Sequence, residues 1–202
     1  MSTRLSQAEQ FQALVAWLRT AINSPEQFTV SYDAEASQFI RFNKGRVRQA
    51  GQVQQASLSL KLIHEGRHAD VSMTLAGATE EDQRRLASAL QQLRDTLPLL
   101  APDPDLLVNP QPWHSRHAQE PPLPDTAQVL ADIRRASEGV DLVGFYACGP
   151  ISVGYASSEG AFGWHQANSF NFDWSLFHSD GQAVKASYAG TDWNSQRFAH
   201  RM

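Results

Sequence analysis

The segment Ser57-Leu58-Ser59-Leu60-Lys61-Leu62-Ile63-His64-Glu65-Gly66-Arg67-His68-Ala69-Asp70-Val71-Ser72-Met73-Thr74-Leu75 decides the fold. Its centre, HEGRH at 64–68, is a formal HExxH, the pattern that puts two histidines and a general-base glutamate on one face of a zinc-protease helix. The flanks argue for something else. Leu58, Leu60 and Leu62 alternate with polar residues before the motif, and Ala69, Val71, Met73 and Leu75 do so after it. Period two on both sides is a strand pattern. A helix would also lose about 1 kcal/mol at Gly66 relative to alanine. Pairing Leu62 with Ala69, Leu60 with Val71 and Leu58 with Met73 puts the apolar residues on one face. A one-residue slip would turn one strand inside out. The expectation is a hairpin closed around Glu65-Gly66 by a loop of two or four residues. His64 then continues the apolar face and His68 lies on the polar one, so the two cannot share a zinc ion.

Helix, sheet and helix extend outward from this hairpin. A helix is expected over 7–22, capped by Ser6 in a box with Glu9, with Phe11, Leu14, Val15, Leu18 and Ile22 on one face. Residues 27–75 read as strands: FTVSYD, QFIRF, a run over 46–63 and HADVSMTL, with turns at Asn43-Lys44-Gly45 and Glu65-Gly66. A second helix is expected over 80–97, with Thr79 as its cap, Glu80, Glu81 and Asp82 in its first turn, and a stripe of Leu86, Leu90, Leu93 and Leu97. A third, over 126–138, ends at Gly139. Strands fill 141–190, with turns at Gly149-Pro150, Glu159-Gly160 and Asp180-Gly181. A last helix opens at Asn194. Eight of the ten prolines fall in 98–124, which reads as a stiff connection. The expected organisation is a helix/sheet/helix unit over 1–97, a proline-rich linker over 98–124, and a helix plus antiparallel strands over 125–202. Clustered strands favour an α+β fold of antiparallel, hairpin-rich sheets with three to four packing helices.

Composition narrows the function classes. The 202 residues are 42% hydrophobic and 19% charged, enough apolar content for a packed core. A net charge of −4 argues against a nucleic-acid partner. The single cysteine, Cys148, excludes an internal disulfide and a cysteine-based structural zinc site, and reads as a small buried residue. No apolar run is long enough to span a bilayer, and the N-terminus has no signal-peptide core, so a cytoplasmic protein with no membrane partner is expected.

Side-chain constellations add little chemistry. RFNKGRVR places Arg41, Asn43, Arg46 and Arg48 on one face of a hairpin, either a small anion-binding patch or a solvated face guarded by charge. Phe170, Phe172, Trp174 and Leu176 form a row beside Phe162 and Trp164, either a core face or a stacking platform for sugars or single-stranded nucleic acid. A platform would require Trp164, Phe172 and Trp174 to be exposed. His165 and His178 lie near Asp173, Asp180 and Asp192 in sequence, and His114 and His117 sit in the proline-rich segment, where solvation is expected. No phosphate loop, nucleophile elbow or dinucleotide fingerprint is present. No residue is assigned a catalytic, cofactor-binding or metal-binding role.

The order of these pieces resembles the N-terminal domain of the TldD/PmbA family, once called modulators of DNA gyrase. The resemblance rests on IRFNKGRVRQAG, SLSLKLIHEGRHADVSMT, the EEDQRRLASALQQL helix, and the strand series GYASSEGAFGWHQANSFNFDWSLFHSDGQAVKASYAG. Ser157-Ser158-Glu159-Gly160 stands where the family usually has Asn-Ser-x-Gly, and His64 precedes the hairpin turn. The resemblance implies a metallopeptidase of about twice this length. Its zinc site would use an HExxxH helix and a later cysteine in a C-terminal domain, and one branch would lack the zinc ligands and serve as partner. The expectation is therefore a non-catalytic portion of such an enzyme, or of its inactive partner, shaping a chamber, dimer contacts and peptide access. The final segment, NSQRFAHRM, is expected to lead into the missing domain. No cofactor is expected in this chain, and zinc is implied only for the complete enzyme. Expected partners are a peptide or unfolded-protein substrate and a second family subunit. The alternative is a stand-alone binding or scaffolding module.

Overall fold

The register expected for residues 57–75 is the register found: Leu58 faces Met73, Leu60 faces Val71, Leu62 faces Ala69 and His64 faces Arg67. The structure, a computed structural model, describes residues 5–202. Its elements are α1 (Gln7–Ala21), β1 (Gln27–Asn43), β2 (Arg46–His64), β3 (Arg67–Thr74), α2 (Thr79–Thr96), a 3-10 turn (Leu97–Leu99), β4 (His114–Gln119), α3 (Thr126–Ala136), β5 (Asp141–Ser157), β6 (Phe162–Phe177), β7 (Ala183–Gly190) and α4 (Ser195–Ala199). The seven strands form one antiparallel sheet in the order β3-β2-β1-β5-β6-β4, with β7 also paired to β6. The fold is α+β.

Both early hairpins close through two-residue turns with positive φ at each position, 51° and 64° at Lys44-Gly45 and 51° and 73° at Glu65-Gly66. This is the type I′ geometry that matches strand twist. The capping box on α1 forms as expected: the Ser6 hydroxyl accepts the Glu9 amide at 3.3 Å and the Glu9 carboxylate accepts the Ser6 amide at 2.8 Å.

Three expectations are corrected. FTVSYD and QFIRF are not separate strands but parts of the 17-residue β1. Thr79 does not cap α2; the cap position is Ala78, which has no capping side chain. Its place is taken by Asp82 in the first turn, whose oxygens accept the amides of Ala76 at 2.7 Å and Gly77 at 3.1 Å. Gly149-Pro150 is not a turn; it lies inside the continuous strand β5. The glycine answers a close approach there, since a Cβ at 149 would collide with the Ala36 carbonyl oxygen and the Ser37 backbone.

The chain divides into two compact units, each built from three stretches: residues 1–34, 55–118 and 152–165 in the first, and 35–54, 119–151 and 166–202 in the second. In the first, Phe11, Leu14 and Leu18 of α1 and Leu86, Leu90 and Leu93 of α2 pack with Phe28, Val30, Tyr32, Leu58, Leu60, Leu62 and Trp164. In the second, Val129 and Ile133 of α3 and Phe198 of α4 pack with Ile40, Phe42, Leu142, Tyr146, Phe170, Phe172, Trp174 and Tyr188. Each fully buried side chain of this size contributes about 1.5–3 kcal/mol.

Candidate functional site

The β2–β3 turn carries the residues that look most like chemistry, and the fold separates them. Because Leu62 faces Ala69 and Ile63 faces His68, consecutive strand positions send His64 and His68 to opposite faces of the hairpin. His68 Nε2 meets Asp103 Oδ2 at 3.1 Å. The amide of Asp105, then His68, hold the Asp103 carboxyl below its ordinary range. The same loop is tied to the turn by the Asp103 amide donating to the Gly66 carbonyl at 2.8 Å and by Arg67 Nε donating to the Leu100 carbonyl at 2.8 Å. The start of the proline-rich segment thus braces the hairpin.

On the other side of the turn, His64, Glu65 and Arg67 line a cleft of about 360 Å³ with Glu26, Arg94, Leu97 and Pro98. Its floor is a bidentate ion pair. Arg94 Nε and Nη2 donate to the two oxygens of Glu26 at 2.8 and 2.7 Å, and Nη2 also reaches the Ala21 carbonyl at 2.8 Å. The Arg94 hydrogen bonds hold the Glu26 carboxyl below its ordinary range against the opposing effect of burial, helped by the Asn23 amide. His64 Nδ1 is buried without a hydrogen-bond partner among the described residues. The Glu26–Arg94 pair satisfies both of its charges internally and the partnerless His64 nitrogen is buried, so the cleft offers no activated nucleophile. His64 and His68 do not fit a shared zinc site. Among the described residues, no group of three His, Cys, Asp or Glu side chains is placed to hold a metal ion.

The remaining candidates disperse. Trp164, Phe172 and Trp174 are buried, which removes the stacking platform and makes the aromatic row core. His114 stacks on Phe162 at 5.4 Å and His117 on His165 at 5.3 Å, so these rings pack on neighbours although their residues are largely exposed. His178 Nδ1 lies 3.0 Å from Asp180 Oδ1 in an exposed turn, while Asp192 is exposed elsewhere. Cys148 is buried, as expected of a small core residue.

Two buried acids escape sequence reasoning. Asp82 is fully buried and accepts Gln10 Nε2 at 2.8 Å in addition to the two loop amides. Asp132 accepts Trp193 Nε1 and Gln128 Nε2, each at 3.0 Å. Burial pushes the Asp132 carboxyl up, but donations from Ser195, Trp193 and Gln128 and the charge of Arg135 outweigh it and leave the group low. Both acids join helices and loops.

The cationic hairpin splits. Asn43 and Arg46 are exposed at the turn, whereas Arg41 and Arg48 enter a second cleft of about 450 Å³, in the second unit, with Val143, Phe145, Asp173 and Lys185.

No protein-family model and no curated protein matches the sequence. Solved structures do. The chain is similar to TldE from Thermococcus kodakarensis, with 13% identity, a TM-score of 0.67, and coverage of 95% of this chain and 46% of that one. It is also similar to putative modulators of DNA gyrase from Thermotoga maritima (12% identity, TM-score 0.56, 97% and 46% covered) and Bacteroides thetaiotaomicron (14% identity, TM-score 0.56, 96% and 48% covered). The chain thus spans about half the length of each. Nearly all of it follows the backbone of these proteins, and its fold is that of about half of TldE and of the two putative gyrase modulators.

Proposed function

We propose that this chain is the non-catalytic portion of a TldD/PmbA-type zinc metallopeptidase, or of its inactive partner subunit. In this role it shapes a chamber, contributes dimer contacts and controls access of peptide or unfolded-protein substrates in the cytoplasm. The observation that carries the reading is the coverage: 95% of this chain matches 46% of the TldE chain, so a whole piece of that architecture is present. The sheet and its packed helices supply rigid walls, and strand edges suit an extended peptide. Zinc chemistry would belong to a separate domain, because His64 and His68 point to opposite faces here.

The test is the intact mass of the endogenous protein together with its zinc content. A species about twice this length with one zinc per chain supports the peptidase reading. A long species without zinc supports the partner branch. A species of 202 residues refutes both and leaves a binding or scaffolding module. The observation favouring that second reading is exposed apolar surface on the second unit's part of β5: Val143, Phe145 and Ile151 are each at least 38% exposed.

A further inference from the structure

We infer that the outer sheet surface of the second unit, centred on Arg41, Arg48 and Lys185, is a docking surface for an extended acidic polypeptide segment that carries a bulky apolar side chain. Three observations meet there. First, the surface is positively charged on a chain whose net charge is −4. Arg41, Arg48 and Lys185 line one cleft and are all exposed. None of them forms an ion pair among the described residues, where the cations that do are Arg67, Arg84, Arg94 and Arg135, with His64, His68 and His178. Second, the cations stand against apolar surface. Phe39 and Phe145 stack with centroids 5.7 Å apart, and the Arg41 guanidinium lies 5.9 and 5.6 Å from the two rings. Phe145 and Val143 remain 38% and 40% exposed. The stack fixes Arg41 without neutralising it, because a ring face attracts a cation but does not remove its charge. Third, one carboxylate, Asp173, lines the same cleft and is held by Asn171 Nδ2 at 2.7 Å.

Asp173 discriminates between ligands. A polyphosphate backbone would bring negative charge past it at every step, and protein surfaces that bind nucleic acid are basic throughout. A polypeptide can place carboxylates opposite Arg41, Arg48 and Lys185 and a backbone N–H or hydroxyl opposite Asp173. The apolar side chain would lie on Phe145 and Val143. Complementary charge steers the encounter, and the apolar contact slows release. The surface would act in the same way with or without a zinc domain following in the chain.

The test is fluorescence polarisation of the 202-residue chain with fluorescein-labelled decapeptides carrying three glutamates around a central phenylalanine, leucine, tryptophan or valine. The same peptides with glutamine in place of glutamate serve as controls, and a labelled ten-nucleotide oligo(dT) as competitor. Saturable binding of at least one acidic peptide is expected, weakening with salt. Reversing Arg48 and Lys185 together (Arg48→Glu, Lys185→Glu) should weaken it by about tenfold or more, and Phe145→Ala by about threefold to tenfold. All three residues are exposed, so the variants should keep the parent circular dichroism; Arg46→Glu, at an exposed position outside the cleft, should leave binding within about twofold. The proposal is overturned if no acidic peptide binds, if glutamine peptides bind equally, or if oligo(dT) binds tighter than every peptide. It is also overturned if self-association lost in Arg41→Glu accounts for the signal.

Discussion

Asp82 is a fully buried carboxylate in the first turn of α2, and its removal has a calculable cost. Its two oxygens receive three donors: the amides of Ala76 and Gly77 and the side-chain amide of Gln10. The carboxylate therefore closes the loop before α2 and ties α1 to α2. Replacement by alanine leaves three donors facing a dry space. A buried unsatisfied group costs about 1–3 kcal/mol, and the two loop amides lie near enough to solvent to recover part of theirs, so Asp82→Ala should cost about 3–5 kcal/mol. Asp82→Asn keeps one oxygen for the Ala76 amide, and Gln10 can rotate to accept from the new NH₂. Only the Gly77 amide is left opposed, for about 1–2 kcal/mol. Urea unfolding followed by tryptophan fluorescence reads both, and the double variant with Gln10→Ala isolates the α1–α2 link. A loss below about 1 kcal/mol for Asp82→Ala, or equal losses for alanine and asparagine, would refute the assignment.

Arg94→Ala leaves the Glu26 carboxylate largely buried without its partner, so about 3 kcal/mol of stability should be lost in the same assay. The Glu26 carboxyl is held low in the folded chain, so its contribution is present above the carboxyl's unfolded range and is lost as pH falls through the folded value; Glu26→Gln should flatten that acid limb. Tyr32 behaves oppositely. Burial, with the charge of Asp82, pushes its phenol to about 12, so stability that is intact below its ordinary value of 10.0 is lost as pH rises towards 12. Ultraviolet titration should show Tyr32 ionising late and Tyr32→Phe should remove that alkaline loss. Gly149→Ala should destabilise by more than about 2 kcal/mol, since the strand interior has no room for the methyl. Equilibrium dialysis against zinc should find no stoichiometric site lost in His64→Ala or His68→Ala.

The parts of the fold legible in the sequence are those where one face is dry. Period two around 64–68 fixes the hairpin register because a slip would expose Leu58, Leu60 and Leu62. The aromatic row of β6 is legible as core for the same reason. Local turn chemistry misleads at Gly149-Pro150, where the glycine serves contact with the Ala36 and Ser37 backbone, a tertiary fact with no local trace. Thr79 misleads similarly: a hydroxyl at the helix start suggests a cap, but Asp82, three residues on, supplies an acceptor to the preceding loop. Of the cationic hairpin, Arg41 and Arg48 line the second cleft, which is not legible in the sequence because Lys185, Phe145 and Asp173 come from strands distant in sequence. Aromatic and charged residues in separate strands carry no periodic signal that they will meet.

The interleaving of the two units sets a timetable for biosynthesis. The chain passes from one unit to the other after residues 34, 54, 118, 151 and 165. A ribosome delivers residues in order, so the first unit cannot close until 152–165 have emerged, and the second waits for α4 at Ser195–Ala199. Until β5 emerges, β1, β2 and β3 can pair only with one another, and the edge of β1 that later meets β5 stays open. An open edge beside half-built apolar faces recruits other strands. Nascent chains halted before residue 152 should therefore be the forms that chaperones hold and proteases cut, and no single cleavage of the finished protein can release either unit intact.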